Sequence, residues 1–509
     1  MSAGSPNGAS VLRPRTFIAL VLVTVARLWW IESHPTVPNP NEVSRLYLTR
    51  AIVDDRALSI DAQARAFGFV EDFAEHDGRL YSDKAPGLSL LGVAPYATAR
   101  LLGASPSPRS TRNLLWVTVI AVPACLLLVF LAMSLARFGL GDAEVALVVV
   151  GLGLGTPHGP YSMLLFGHAL AGALVMVAFL AVLFVRRWGE GNLMLVLAGG
   201  TAGYAVLVEY PAAVPALCVA GYVASLGIRK LLVFLSATLP AILLIAWYHT
   251  AAFGGPLSTG YQAITGGWSV AHAHGLAGVS FPSWDSIWGL TLSSRRGLLF
   301  YSPWLLLAPW GFVHLWRERW RAEAAVGLVA LAGSFYVAAS FSIWWGGSAF
   351  GARHLTVVVP FVMLAAAALA RRWRYGVWRA VLGGMVAASV VLTMGTAVPW
   401  PYPSPDCANP WASLSLPFWR AGVVPLSLPE TLGFHRFVGA WSYVAIVIGA
   451  LVTALLGERG QRSWRRGLGL AGALVLALAW AGTATLVGRS GDERAECDID
   501  NLRSVVRAR

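Results

Sequence analysis

Charge is scarce in this chain. Of its 509 residues only 12% are Asp, Glu, Lys or Arg, while 57% are hydrophobic. A soluble globular protein carries roughly twice that charged share. With a mean hydropathy of +0.63, a water-soluble domain is excluded, and the chain reads as an all-α polytopic membrane protein. Lysine is almost missing: only Lys84 and Lys230 are present, so the net charge of +13 is nearly all arginine. Such a balance invites a nucleic-acid reading. The arginines, however, fall in short clusters between apolar runs, as the positive-inside rule produces, so no nucleic-acid partner is expected. Cysteine is also sparse, and Cys125, Cys218, Cys407 and Cys497 show no metal-ligand spacing. There is no soluble domain, low-complexity linker or convincing internal repeat, so residues 1–509 are expected to form a single membrane domain.

The apolar runs and Arg clusters give a topology. Arg13 and Arg15 precede an uncleaved signal-anchor helix at 16–32 that starts inside. Further spans are expected at 111–136, 144–157, 162–185, 192–208, 212–227, 231–249, 298–316, 323–343, 355–370, 380–397, 438–456 and 467–488. That makes about thirteen spans, eleven at the fewest, several near the lower length limit. Residues 33–110, 250–296 and 398–437 are outer loops, the tail 489–509 is also outside, and 87–103 reads as a helix lying at the interface. The expected location is a bacterial inner (cytoplasmic) membrane, with the N-terminus cytoplasmic and the C-terminus extracytoplasmic. Cys407 and Cys497 then share one oxidising space and are expected to form a disulfide, while Cys125 and Cys218 lie within helices as free thiols.

Against this background, residues 41–87 stand out. They gather a large share of the chain's charges, including Glu42, Arg45, Asp54, Asp55, Asp61, Asp83 and Lys84. Polar residues that are costly at membrane depth also collect at the outer helix ends. They are His158, His168, Glu209, His249, Tyr261, Arg295, Arg296, Arg353 and His354. A cavity lined from these ends and capped by the first loop is the candidate site. Each member has a plain structural alternative. Glu42 reads equally as a solvated loop carboxylate, Asp83-Lys84 as a local ion pair before Pro86, and His168 as a bond between helices. Glu209 reads as a helix-end residue, Arg295-Arg296 as a headgroup anchor, and Asp54-Asp55 as a surface turn.

Pro40-Asn41-Glu42-Val43-Ser44-Arg45, followed by Tyr81-Ser82-Asp83-Lys84-Ala85-Pro86-Gly87, resembles the first extracytoplasmic loop of the GT-C glycosyltransferase superfamily. Within it the pattern is similar to the glycosyltransferase 39 group, the protein O-mannosyltransferases and lipid A aminoarabinose transferases. His168, Glu209-Tyr210-Pro211, Gly260-Tyr261, Arg296-Gly297 and Trp345-Gly346-Gly347 through Arg353 extend the likeness. That group carries an acidic pair after its first helix. Here the pair stands as Asn41-Glu42, and the Lys-Pro-Pro turn as Lys84-Ala85-Pro86.

The resemblance implies a GT-C-like bundle and a polyprenyl-phosphate-sugar donor. The acceptor would be an envelope glycan, lipid or protein. One carboxylate must take the acceptor's proton, and cations must meet the departing phosphate. Glu42 is the first candidate for the base, held ionised by Arg45, and Asp83 the second. Arg45, Tyr81, Lys84, His168, Glu209, Tyr261, Arg296 and Arg353 are candidates for substrate binding. No cofactor is required; a divalent cation on the carboxylates is allowed, though no spacing demands it. A transporter or lipid flippase, and a non-catalytic envelope scaffold, stay open as alternatives.

Overall fold

A computed structural model describes residues 12–31, 37, 39–68, 71–264, 269, 275, 278–373, 376–456, 463–487 and 497. The chain is mostly helical. Among the described residues six helices are long and apolar enough to cross a membrane: Pro108–Arg137, Gly167–Trp188, Ile228–Phe253, Arg321–Ser340, Gly376–Ala397 and Arg436–Leu455. Helix Ile228–Phe253 exposes Leu232, Leu235, Leu239, Ile242 and Leu243. This is a continuous apolar stripe that only hydrocarbon would cover at low cost.

The span expected at 467–488 is helix Ser463–Ala484, and the other expected spans are shorter or broken. Pro14–Leu28, Asp142–Leu154, Asn192–Val208 and Ala213–Ala224 are helices of 12–17 residues. The run expected at 298–316 divides into Leu298–Tyr301, Pro303–Leu307 and Ala308–Arg317. The run at 355–370 starts as short turns, Arg353–Leu355 and Val359–Phe361, before helix Val362–Arg372. Proline explains both, since Pro303 and Pro360 offer no N–H to a preceding turn. The interfacial helix expected at 87–103 is helix Gly87–Leu101, which spans Pro95 and ends at exposed Leu101 and Leu102.

Buried arginines hold the bundle together. Arg27 donates to the carbonyls of Ala124 and Gly153 and contacts His158 Nδ1 at 3.2 Å. Arg379 donates to the carbonyls of Ala143 and Ala454. At one end of the bundle Arg187 pairs with Glu323 at 3.0 Å, and Arg137 with Glu190 at 3.0 Å. Helix Gly167–Trp188 carries His168 at its opposite end, about 27 Å from Arg186 at 1.5 Å per residue.

Two small sheets lie away from that basic end. Trp30–Ile31 pairs with Leu426–Ser427, tying the end of the first helix to a distant loop. Ala74–His76 pairs with Arg79–Tyr81 around Asp77 and Gly78, both at positive φ. This two-residue Asp-Gly turn twists with its strands.

Cys407 and Cys497 are bonded, with Cα atoms 4.5 Å apart, and Cys125 and Cys218 are free. Apart from Cys497, the tail at 489–509 lies outside the described residues. Without reductant, a thiol reagent should label two cysteines in the denatured chain, and four after reduction. Labelling of all four without reductant would exclude the bond.

Candidate active site

A cavity of about 460 Å3 opens at the end of the bundle opposite the Arg187–Glu323 pair. Its polar wall includes Asn41, Arg45, Asp72, Asp83, Lys84, His168, Glu209, Tyr261, Arg353 and His354. Its apolar wall includes Val214, Val337, Ala338, Phe341 and Val357.

The short helix Pro40–Arg50 supplies Asn41 and Arg45. Asn39 caps it by accepting from the Asn41 N–H at 3.0 Å, and Pro40 occupies the first turn, where no N–H is needed. Residues Asn41 to Arg50 are all buried. Asn41 and Arg45 are one turn apart and share the cavity face. Arg45 Nε donates to Asn41 Oδ1 at 3.1 Å, and Arg45 Nη2 meets Glu209 Oε1 at 2.7 Å. His168 Nδ1 lies 3.4 Å from the same Glu209 oxygen without an aligned hydrogen bond. Glu209 sits in the extended break between Asn192–Val208 and Tyr210–Ala212.

The Asp77-Gly78 hairpin builds the adjoining part of this polar wall, with Ala74 paired to Tyr81. Asp72 and Asp83 flank its two strands, two residues before Ala74 and two after Tyr81. Lys84 Nζ bridges them, at 2.8 Å from Asp72 Oδ2 and 2.6 Å from Asp83 Oδ2. Ser44 Oγ approaches Asp83 Oδ1 at 3.3 Å. Burial pushes the Asp83 carboxyl above the usual aspartate range, although Lys84 opposes the rise. Burial also acts on Asp72, but its side chain keeps 22% exposure, and Lys84 holds it below that range. Flanked by two carboxylates, Lys84 keeps its proton more tightly than usual despite its own burial. Residue 263 closes this side, its carbonyl accepting from the Glu75 N–H at 2.9 Å, which places Gly260–Gln262 and Tyr261 on the cavity. Burial raises the Tyr261 hydroxyl to about 12.

Arg353 enters from a glycine-rich turn. Gly346 has φ +76°, and an added Cβ there would lie 2.6 Å from Arg353 Nε. Glycine is thus needed twice, for the backbone and for the approach. Several buried polar atoms on this side have no protein partner: Arg45 Nη1, His168 Nδ1, Arg353 Nε and His354 Nε2. Buried donors left unpaired are costly, so a ligand that satisfied them would bind with a matching gain.

Asp83, Arg45, Lys84, His168, Glu209, Tyr261 and Arg353 are therefore brought together, and three other expected residues are not. Glu42 does not line the cavity. It is fully buried, grips Arg112 through both oxygens at 2.9 and 3.1 Å, and accepts from the Leu165 N–H at 2.7 Å. The expected Glu42–Arg45 pairing is replaced by Glu42–Arg112 and Arg45–Glu209. Successive helix residues point about 100° apart, and here Glu42 turns to Arg112 while Asn41 and Arg45 face the cavity. Arg296 is fully buried and donates to the carbonyls of Arg295, Trp345, Gly347, Pro403 and Ser404, which ties loops together. Tyr81 packs edge-on against Phe253, with ring centres 5.5 Å apart. His354, expected among the polar residues at the outer helix ends, also lines the cavity, as does Asp72, which was not singled out. Among the described residues no group of three His, Cys, Asp or Glu side chains is arranged to hold a metal ion.

No family model matches the chain, and no curated protein matches it. Among solved structures it is similar to ArnT from Cupriavidus metallidurans. The apo form gives a TM-score of 0.49 at 17% identity, covering 93% of this chain and 77% of that one. The form bound to undecaprenyl phosphate gives 0.48 at 17% identity and the same coverage. The archaeal oligosaccharyltransferase AglB from Archaeoglobus fulgidus, in complex with an inhibitory peptide and a dolichol-phosphate, gives 0.38 at 12% identity. It is covered over 56% of its length, against 94% of this chain. The site itself is read from its own residues.

Glu42→Gln should act as a stability defect. It weakens the partner of a buried arginine, a change that costs about 3–5 kcal/mol when a buried pair is broken outright. The thermal midpoint in detergent should fall, while the protein that stays folded should bind ligands in the cavity normally. An unchanged midpoint with lost turnover would return Glu42 to the chemistry.

Proposed function

We propose that this chain is an integral-membrane glycosyltransferase. It would move a sugar from a polyprenyl-phosphate donor to a cell-envelope acceptor at the outer face of a bacterial inner membrane. The observation that carries the proposal is one cavity with two characters. Lys84, Arg45 and Arg353 face the carboxylates Asp72, Asp83 and Glu209 on one wall, and Val214, Val337, Ala338, Phe341 and Val357 form another. Such a site suits an amphiphile with an anionic head and an apolar tail. The arginine clusters at the far end of the bundle favour the cytoplasm, which would set the cavity outside.

In this reading Asp83 takes the acceptor's proton, and Lys84 and Arg353 meet the phosphate. Arg353 suits the phosphate because its planar fork offers paired donors and stays charged. The phosphate departs without protonation, so no second acid is needed. Arg45 is held by Glu209 and, with His168 beside it, shapes the sugar side. No divalent cation is invoked, because the Lys84 ammonium already occupies the place between the two carboxylates.

The test is transfer of label from a polyprenyl-phosphate sugar to envelope acceptors by purified protein in detergent. Binding of the donor without transfer, across acceptor classes, would favour a transporter or a scaffold. Asp83→Asn should keep the fold and donor binding but lower turnover by about 10²-fold or more. Wild-type turnover by that variant would remove Asp83 from the role.

The pH dependence follows from the raised Asp83 carboxyl. The base works only when ionised. Transfer should therefore be full above its pKa and lost as pH falls through it, with the acid limb of kcat/KM above the ordinary aspartate range. An acid limb at or below that range would argue against Asp83.

A further inference from the structure

Lys84 is poised between two carboxylates in a way that a simple ion pair does not require. The Asp83 side chain is 4% exposed and that of Lys84 10%, so little water shares their charge. An ammonium has three donors on one rotatable centre. Asp72 takes one at 2.8 Å and Asp83 another at 2.6 Å. One donor remains, in a cavity that also presents the unpartnered Nε of Arg353.

The transfer reaction moves charge between the two groups that this ammonium can touch. As the bond forms from the acceptor oxygen to the anomeric carbon, the acceptor proton passes to Asp83. The bond from that carbon to the phosphate oxygen breaks, and its electron pair stays on the phosphate. The carboxylate loses one negative charge. The donor phosphodiester, singly charged, leaves as a phosphomonoester with a second charge. The charge of the whole site is unchanged.

We propose that Lys84 follows this moving charge: at rest Asp72 and Asp83 share its ammonium, and during transfer it passes from Asp83 to the departing phosphate while Asp72 keeps hold. Asp72 is thus a positioning residue, bound to the same ammonium as Asp83. The proposal rests on the transferase reading above and adds to it a role for the second carboxylate. A lysine paired with Asp83 alone would lose its anchor when that carboxylate took the proton. The third donor allows the handover without Lys84 leaving Asp72.

Two measurements test it. In the first, the pH profile of kcat/KM is compared for the wild type, Asp72→Asn and Asp72→Glu. The groups acting on Asp83 are Lys84, Asp72 and Arg45, with the hydroxyls of Tyr210, Tyr248 and Tyr261 nearby. Removing the Asp72 charge takes away a repulsion and leaves Lys84 to Asp83 alone. Both effects favour the ionised base, so the acid limb of Asp72→Asn should move to lower pH. Turnover should drop because Lys84 no longer has its anchor, and Asp72→Glu should restore the wild-type limb. A purely structural role would lower activity and leave the limb in place. An unmoved limb in an active Asp72→Asn overturns the proposal.

The second measurement needs no variant that could fail to fold. Calorimetry of undecaprenyl phosphate binding to the wild type at pH 8, in buffers of different ionisation enthalpy, counts the linked protons. The phosphomonoester is already a dianion at that pH, its second pKa being about 6. The product complex should therefore take up a proton onto Asp83, and Asp83→Asn should lose that uptake. Binding with no proton uptake overturns the proposal. If the wild type transfers sugar and either signature is missing, only the Lys84 handover fails. If the wild type transfers nothing with any acceptor, the transferase reading fails and the handover with it.

Discussion

The site depends on a buried charge pair that takes no part in it. Glu42 and Arg112 lie inside the protein, with side chains 0% and 3% exposed. A lone ion in such a place would be untenable, so each requires the other and the remaining lone pairs need donors. The Leu165 N–H supplies one, and Arg112 spends a further donor on the Met163 carbonyl. The pair thereby joins three pieces of chain distant in sequence: the first-loop helix, the start of the long span Pro108–Arg137, and the turn that leads into Gly167–Trp188. With Glu42 fixed on one side of its helix, Asn41 and Arg45 have one direction left, into the cavity. The position of Arg45 in turn fixes Glu209, and Glu209 lies beside His168.

A second constraint comes from backbone rather than charge. The Asp77-Gly78 turn sets the register of a hairpin only three residues long on each side. Asp72 and Asp83 lie just beyond the ends of its strands, close enough to share one ammonium. Like charges so close repel, and this chain resolves the conflict with one of its two lysines. The scarcity of lysine is thus informative: a flexible ammonium, with three donors on one point, fits between two carboxylates better than a planar guanidinium. Arginine is used where a fork is wanted, on Glu42 and at the carbonyl cluster around Arg296.

The sequence made the apolar runs legible, and with them most helices and the gathering of polar residues at one end. Their interruptions were harder to read. Pro303 and Pro360 break runs whose composition alone reads as continuous. At the site, seven of the ten expected residues line one cavity, because costly polar groups at helix ends have few other places to go. The misplacement of Glu42 came from weighing residue type over angular position. Asn41 and Arg45 are four apart, the better-matched pair on a helix, and the carboxylate between them turns away. Asp72 stands outside the hairpin centred on the Asp-Gly turn, and only the fold shows it sharing Lys84 with Asp83. Arg296 could not be separated from Arg353 by sequence. Both stand at loop ends, and only the folded loops show that Arg296 is consumed by five carbonyls while Arg353 Nε keeps no hydrogen-bond partner.

Asn41 gains a physical meaning from the same geometry. It faces the cavity at the place where the resembling family carries its first acid. Its side-chain oxygen accepts from Arg45 Nε while Arg45 Nη2 serves Glu209. An aspartate at this position would draw Arg45 away from Glu209 and add a negative charge to a cavity that already holds Glu71, Asp72, Asp83 and Glu209. Those four face only Arg45, Lys84 and Arg353 as permanent cations. A further carboxylate would make the cavity more hostile to any anionic ligand. An amide keeps the hydrogen bond and removes the charge. In this chain the hairpin segment brings acidic groups to the same wall, and a neutral residue at 41 limits the negative charge that an anionic ligand would meet there.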